Sequence, residues 1–343
     1  VLDHADHLHR GPQRDVRLLD HPAERGVRLD GDPRVPVHVL IELVVEEPEA
    51  HLHPHVQRLV YRYFLGTGAD EEEDAPPLTT ILTTHSPHIA SVAPIRSIVL
   101  LRHDAATNAT IAVSTATAPF TERDEADLQR YIDVSRGEIF FARGVVLVEG
   151  DAERFLVPAF AEALGIPLDM LGITVCSVSG TNFTPYVKLL GQHGLNIPHV
   201  ILTDRDPNGA SHPRVRRRLI NVLQLREEGV SYRRLDADAV ITRAEPFGYF
   251  VNSNTLEPEL FTGGLADAMQ EVIEEELSIG EDTRDELQGW VDDPDTLDED
   301  ALIALIERIG KGRFAQALAR HVDADTCPDY IRQALEHIRD AVA

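Results

Sequence analysis

Three short apolar runs near the middle of the chain, Val145–Val148, Ile173–Val178 and His199–Thr203, are separated by stretches with a helical period. This alternation constrains the fold more than any other feature. A strand that is apolar along its whole length is covered on both faces, and strands joined through helices are parallel. The first joining segment carries Phe155, Leu156, Phe160 and Leu164 and stops at Gly165; the second passes through the loop Ser179–Asn182 into Pro185–Leu190. Right-handed crossovers then bring the carboxyl ends of the strands to one edge, where open α/β sheets bind ligands. Two of those ends are acidic, with Glu149-Gly150 after the first run and Asp204-Arg205-Asp206 after the third.

Upstream, the run Val39–Val45 meets the acids Glu46, Glu47 and Glu49, and a helical pattern through Val56, Leu59, Val60 and Phe64 follows. Gly66–Pro77 reads as an exposed loop, Thr79–Thr84 as a second buried strand, and Ile98–Leu101 as a third apolar run, which together predict a parallel α/β arrangement. Residues 1–37 show neither helical nor strand periodicity and are expected to be irregular or disordered. The chain begins with Val rather than Met, which predicts a fragment or an uncertain start or reading frame. From Leu256 onward the pattern turns helical and acidic, with helices expected over Glu271–Glu276, Asp282–Leu287 and Glu299–Ile309. The expected divisions are therefore 1–37, 38–140, 141–255 and 256–343.

Hydrophobic residues make up 43% of the chain, which excludes wholesale disorder. No apolar run approaches the roughly 18 residues of a membrane span and no secretory leader is visible, so no membrane partner is expected. With only Cys176 and Cys327, a disulfide scaffold is excluded and a reducing, cytoplasmic location is expected. The net charge of −26 excludes a protein that coats nucleic acid by bulk electrostatics, though not a local basic groove. Arg205, Arg214 and Arg216 to Arg218, just after the acidic pair, are candidates for such phosphate contacts, with a solvated loop as the competing reading.

If a helix starts at the Gly150 turn, the i, i+4 spacing directs Glu149 and Glu153 toward one patch. Asp204 and Asp206 address the same edge from a turn. Four carboxylates there would repel unless cations neutralised them, and an all-oxygen donor set favours Mg²⁺ or Mn²⁺ over zinc. Each motif alone also has a plain explanation, as a helix N-cap or a solvated turn.

The 32 basic residues are 30 Arg and two Lys, Lys188 and Lys311. Where arginine has replaced nearly every lysine, a surviving one marks a place for a compact ammonium. Lys311, in IGKGRF, lies between two glycines and could approach a phosphate closely, to stabilise developing charge or donate a proton. The competing reading is an exposed lysine at a helix C-cap. Lys188, beside Leu189 and Leu190, is expected on a helix surface.

The order of Glu149-Gly150 after VVLV, the SVSGTN loop and DRD after VILT resembles the Toprim fold of topoisomerases, primases and OLD-family (overcoming lysogenization defect) nucleases. VLVEGDAERFLVPAFAEALGI, ITVCSVSGTNFTPYVKLL and NTLEPELF look like the OLD family in particular. The resemblance implies that Glu149, Glu153, Asp204 and Asp206 hold two divalent metals about 4 Å apart that cleave DNA phosphodiesters, with Glu257 of the TLE motif as a further candidate. It also places the family's essential lysine at Lys311, and so implies a catalytic group of Lys311, Glu149 and Asp204.

LVVEEPEAHLHP looks like a Walker B segment of an ABC-type ATPase, with Glu46 at a Mg²⁺-water position and Glu47 polarising the attacking water. ILTTHSPHIAS resembles the H-loop, whose His85 would contact the γ-phosphate region. The histidines His51, His53 and His55 fall in the D-loop region of that resemblance and are not expected to bind zinc. No GxxxxGK[ST] and no LSGG-like motif occurs, so ATP use is expected only in a full-length parent or with another chain supplying those parts.

The expected fold class is α/β: a partial ABC-type ATPase lobe, then a Toprim (Rossmann-like) domain with a helical C-terminal region. The expected function is a metal-dependent DNA endonuclease, homodimeric through the ATPase part where that part is complete. The alternative is a non-catalytic DNA-binding or partner-binding scaffold in DNA repair or phage defence. Strand passage, for which Tyr232 and Tyr249 would be available nucleophiles, has no supporting context.

Overall fold

The apolar run that ends on acids forms β1 (Ile41–Glu46), and the three central runs form three of the four strands of a separate sheet further on. The computed structural model describes residues 41–66, 78–104, 107–133, 135–205, 213–227 and 229–343. The expected irregular segment 1–37, nearly all of the expected loop 66–77 and Asp206 lie outside the described residues. Two compact units divide between Val92 and Ala93.

In the first unit, β1 pairs in parallel with β2 (Leu78–Thr83), in a register running from Ile41↔Leu78 to Glu46↔Thr83. Between them lies α1 (Pro54–Gly66), and β2 leads into the short α2 (Pro87–Ala90), whose cap Ser86 accepts from the His88 N–H.

The second unit begins with β3 (Val99–Asp104) and β4 (Ala109–Ser114). They pair antiparallel, so the third apolar run joins a hairpin and not a parallel sheet. β4 is short and mostly exposed, with Ala109, Ile111 and Val113 alternating along one face, and the sequence reading did not pick it out. α3 (Glu122–Tyr131) follows, opened by a reciprocal capping box between Thr121 and Asp124.

Then come β5 (Gly144–Val148), α4 (Asp151–Ala163), α5 (Leu168–Leu171), β6 (Ile173–Ser177), α6 (Thr184–Leu190), β7 (His199–Thr203), α7 (Pro213–Leu223), α8 (Ala237–Ala244) and β8 (Tyr249–Val251). The strands form one parallel sheet in the order β6-β5-β7-β8. β5 and β7 are buried along their whole length, as continuous apolar runs require. β8 is too short to have announced itself by periodicity.

The chain ends in α9 (Leu256–Leu260), α10 (Ala266–Glu276), α11 (Glu281–Asp292), α12 (Glu299–Ile309), α13 (Lys311–Leu318) and α14 (Asp329–Val342). These helices do not form a layer of their own. Val146 and Val148 of β5, Leu156 and Phe160 of α4, Met269 of α10 and Ile331, Leu335 and Ile338 of α14 share one continuous core. α14 lies against β5, β7 and β8, and the Arg143 guanidinium ties its end by donating to the Val342 carbonyl at 2.6 Å.

Residues 93–140 also pack with the sheet. Arg136 donates to the Ser177 carbonyl at 2.7 Å, and the Lys188 Nζ lies 2.6 Å from Asp124 of α3. Lys188 is therefore not a surface lysine: both side chains of that pair are 11% exposed, because α3 covers the polar side of α6. No helix among the described residues is long and apolar enough to cross a membrane.

Candidate active site

Glu149 follows β5 directly and its carboxylate turns toward the end of β7. Its Oε1 accepts from the Asp204 N–H at 2.9 Å and from the Thr203 hydroxyl, two groups that exist there only because β5 and β7 are neighbours. The Arg218 guanidinium of α7 completes the set, with Nη1 2.6 Å from the same oxygen. Glu153 lies one turn into α4, where its Oε2 accepts from the Gly150 N–H at 3.2 Å. The plain capping explanation is thus realised, yet the side chain is also buried beside other acids. Burial first, then Glu149 and Glu257, push its pKa up to about 7.

Asp204, at the end of β7, is raised further, to about 8, by burial and then by Glu149, Glu153 and Glu257; Asn252 opposes the shift by donating to Oδ1 at 2.5 Å. Glu257, at the start of α9, is 3% exposed and ion-paired with Lys311 at 2.9 Å. Four carboxylates thus share one field at the carboxyl edge of the sheet, with Lys311 at its rim.

The position of Lys311 depends on its two glycines. Gly310 has φ +94°, a conformation open mainly to glycine, and it lets the chain turn from α12 into α13. A Cβ on Gly312 would lie 3.1 Å from the Asp151 Cβ, so a larger residue would press α13 away from the start of α4. Burial tends to lower the Lys311 pKa, but Glu257 first, and then Asp204 and Glu307, outweigh it and raise the value. Lys311 is a standing ammonium, suited to charge stabilisation or proton donation and unsuited to act as a base.

The donor set is all oxygen, crowded and buried, which fits Mg²⁺ or Mn²⁺. Among the described residues, however, no three His, Cys, Asp or Glu side chains stand in an arrangement that could hold a metal ion. The physical reason is visible: Glu149 is turned to Arg218, Glu257 to Lys311, Asp204 to Asn252 and Glu153 to the Gly150 N–H. Asp206, the fifth predicted acid, lies outside the described residues.

Sequence reasoning did not single out Asn252 or the pairing of Arg218 with Glu149. Asn252 is 2% exposed and clamps the β7 end from both sides, donating to Asp204 and accepting from the Arg205 N–H at 2.9 Å. Its only sequence mark is an asparagine directly after an apolar triplet. Of the other arginines, Arg205 is paired with Asp238, and Arg216 donates to the Leu235 and Tyr232 carbonyls at 2.8 Å, so neither is available in the way the cluster suggested.

In the first unit, Glu46 is an exposed residue at the end of β1. The His85 Nε2 lies 3.6 Å from the Glu47 Oε1, so Glu47 and His85 do meet. Glu49, given no role from sequence, holds His85 in place: its Oε1 accepts from the His85 N–H and the Thr84 hydroxyl, both at 2.9 Å. His51, His53 and His55 are exposed and gather no metal-binding group among the described residues.

Residues 140–206 match the family described as overcoming lysogenization defect protein-like, TOPRIM domain, and residues 40–90 match the AAA ATPase domain. A solved C-terminal region of the Xanthomonas campestris pv. campestris OLD protein is 71% identical, covers 60% of this chain and 96% of its own length, and superposes with a TM-score of 0.57. The chain belongs to the OLD family. The C-terminal region of the Burkholderia pseudomallei OLD protein is 61% identical over 59% of this chain and all of its own, also with a TM-score of 0.57. Among curated relatives, the OLD nuclease of Thermus scotoductus is 28% identical over 167 residues, 48% of this chain and 30% of the relative. The uncharacterized protein YbjD of Escherichia coli is 27% identical over 199 residues, 58% of this chain and 33% of the relative. The chain thus spans about a third of the length of these curated relatives.

Proposed function

We propose that this chain carries the catalytic centre of a metal-dependent DNA endonuclease of the two-metal Toprim type. The observation that carries the reading is the convergence of Glu149, Glu153, Asp204 and Glu257 from four elements onto one sheet edge, with the Lys311 ammonium beside them. Glu149, Glu153, Asp204 and Asp206 would hold the cations, with Glu257 as a further ligand. When bound, such cations supply Lewis acidity and an activated water for phosphodiester hydrolysis.

The chain's own groups divide the remaining work. Glu149 and Asp204 are placed at the sheet edge by the strand ends they follow and by hydrogen bonds to neighbouring groups. Arg218 lies against Glu149 and offsets its charge at the sheet edge. Lys311 keeps its proton at Nζ, with a side chain 44% exposed, ready to meet a phosphate oxygen or protonate the departing oxygen. Glu46, Glu47 and His85 would serve ATP only where the rest of the ATPase is supplied, and dimerisation would run through that part.

One observation favours a second reading, a non-catalytic DNA-binding or partner-binding scaffold. Arg218 and Lys311 already balance two of the acids without a metal. Cleavage of supercoiled plasmid in Mg²⁺, Mn²⁺, Ca²⁺ or EDTA, without ATP, separates the two. The nuclease reading expects nicking in Mg²⁺ or Mn²⁺ that falls by about 10²-fold or more in Glu149→Ala. Metal-dependent nicking that survives Glu149→Ala would refute this site assignment.

A further inference from the structure

Arg214, Arg217, Arg218 and Asn221 follow one another at i, i+3, i+4 and i+7 and therefore share a face of α7, while Val215, Leu219 and Val222 bury the adjoining side. The polar face meets the loop of Thr181 and Asn182 and the start of α6, and the two enclose a cleft of about 440 Å³. Its walls carry three guanidiniums, two amides and two threonine hydroxyls, in a chain whose net charge is −26.

The arginines of this region are not equivalent. Arg205 and Arg216 are consumed by Asp238 and by backbone carbonyls. Arg214 and Arg217 are exposed and have no ion-pair or hydrogen-bond partner among the described residues. Among the described residues, two carboxylates touch the lining: Asp127 accepts from the Asn182 amide at 3.2 Å, and Glu149 holds Arg218. Arg218 is thus a shared wall, with one side on the cleft and its Nη1 on the acidic cluster. An anion seated between Arg214 and Arg217 would lie one side chain from the carboxylates of the candidate active site.

We infer that this cleft binds a backbone phosphate of the nucleic-acid strand, neighbouring the phosphodiester presented to the acidic cluster. The inference rests on the nuclease reading of those acids. Two unpaired guanidiniums with hydroxyl and amide donors match a phosphate's oxygens, and a strand that crosses an acidic site needs such a cationic anchor beside it. The contact is to the backbone, so it fixes the position of the strand without reading its sequence.

The test is binding of a labelled DNA duplex to the full chain in EDTA, where no cleavage occurs, over a series of salt concentrations. Arg214→Gln/Arg217→Gln is expected to bind at least several-fold more weakly, with the slope of log affinity against log salt shallower by about 0.9, one phosphate contact. Arg214→Lys/Arg217→Lys should restore most of the slope. Arg233→Gln/Arg234→Gln, with the same charge change on exposed residues outside the cleft, should leave it unaltered. Asn221→Asp, which adds a negative charge without adding bulk, should also weaken binding, and equal melting temperatures certify each fold.

Unchanged affinity and slope in the double variant would overturn the inference, as would a wild-type chain that does not bind DNA. Stabilisation by inorganic phosphate that needs Arg214 and Arg217, with DNA binding unchanged, would make the cleft a free-phosphate site and overturn it too. The nuclease reading fails separately: wild type that binds DNA through this cleft yet never nicks plasmid would refute that reading and leave the cleft standing.

Discussion

Lys311 and Lys188 are the only lysines in the chain, and the structure gives them opposite work. Lys311 stands at the rim of four acids, and Lys311→Ala should leave divalent-cation binding intact by calorimetry while lowering plasmid nicking by about 10²-fold. Unchanged nicking would remove its catalytic role. Lys188 instead neutralises Asp124: burial raises that carboxyl's pKa, but Lys188 and then Thr121 outweigh it and hold it below the usual range. Lys188→Ala, which strands the partly buried carboxylate, should cost about 2 kcal/mol in urea unfolding, and Asp124→Ala/Lys188→Ala less than the sum of the singles.

His199 supplies a pH test. Burial first, then the adjacent Arg226, push its pKa down to about 4, against a hydrogen bond with the Ile197 carbonyl. The unfolded chain takes up this proton near pH 6.5 and the folded chain only near 4, so the contribution of His199 is full above 6.5 and is lost as pH falls through that window. Glu153 and Asp204, whose pKa values are raised, contribute in the opposite sense, so the His199 share, roughly 3 kcal/mol, is read as the difference between wild type and His199→Gln in urea midpoints taken at pH 4 and pH 7.

α13 and α4 show how elements place a site that neither contains alone. Their approach depends on the missing Cβ of Gly312, which in Gly312→Ala would press on Asp151 at 3.1 Å and in Gly312→Leu would force the helices apart. The Ala variant should lose about 1 kcal/mol and the Leu variant more, by thermal melting, with nicking falling further than stability because Lys311 moves with α13. A Leu variant that melts and nicks like the wild type would show that this contact does not position Lys311. The strands β5, β6 and β7 were legible as elements because each is an unbroken apolar run bounded by turn residues. β8 was not, because three residues carry no period, and β4 and α13 are short; α14 was passed over although Ile331, Ala334, Leu335, Ile338 and Val342 recur at helical spacing.

At the scale of the molecule, the division between Val92 and Ala93 makes the second unit a testable piece. Residues 93–343 expressed alone should melt cooperatively and, on the nuclease reading, still nick plasmid in Mn²⁺ without ATP. A noncooperative melt would show that the first unit is needed for folding. The sequence by itself determined the parallel α/β character, the acids at strand ends and the unusual status of its lysines, because these follow from local periodicity, spacing and residue type. Tertiary structure decided which of those residues meet. Glu149 reaches Asp204 because β5 and β7 are adjacent in the sheet, and Asn252 reaches Asp204 because β8 lies next to β7. Glu257 and Lys311 join them because the C-terminal helices return to the sheet. Such meetings depend on chain topology and packing across tens to more than a hundred residues, which no local pattern encodes.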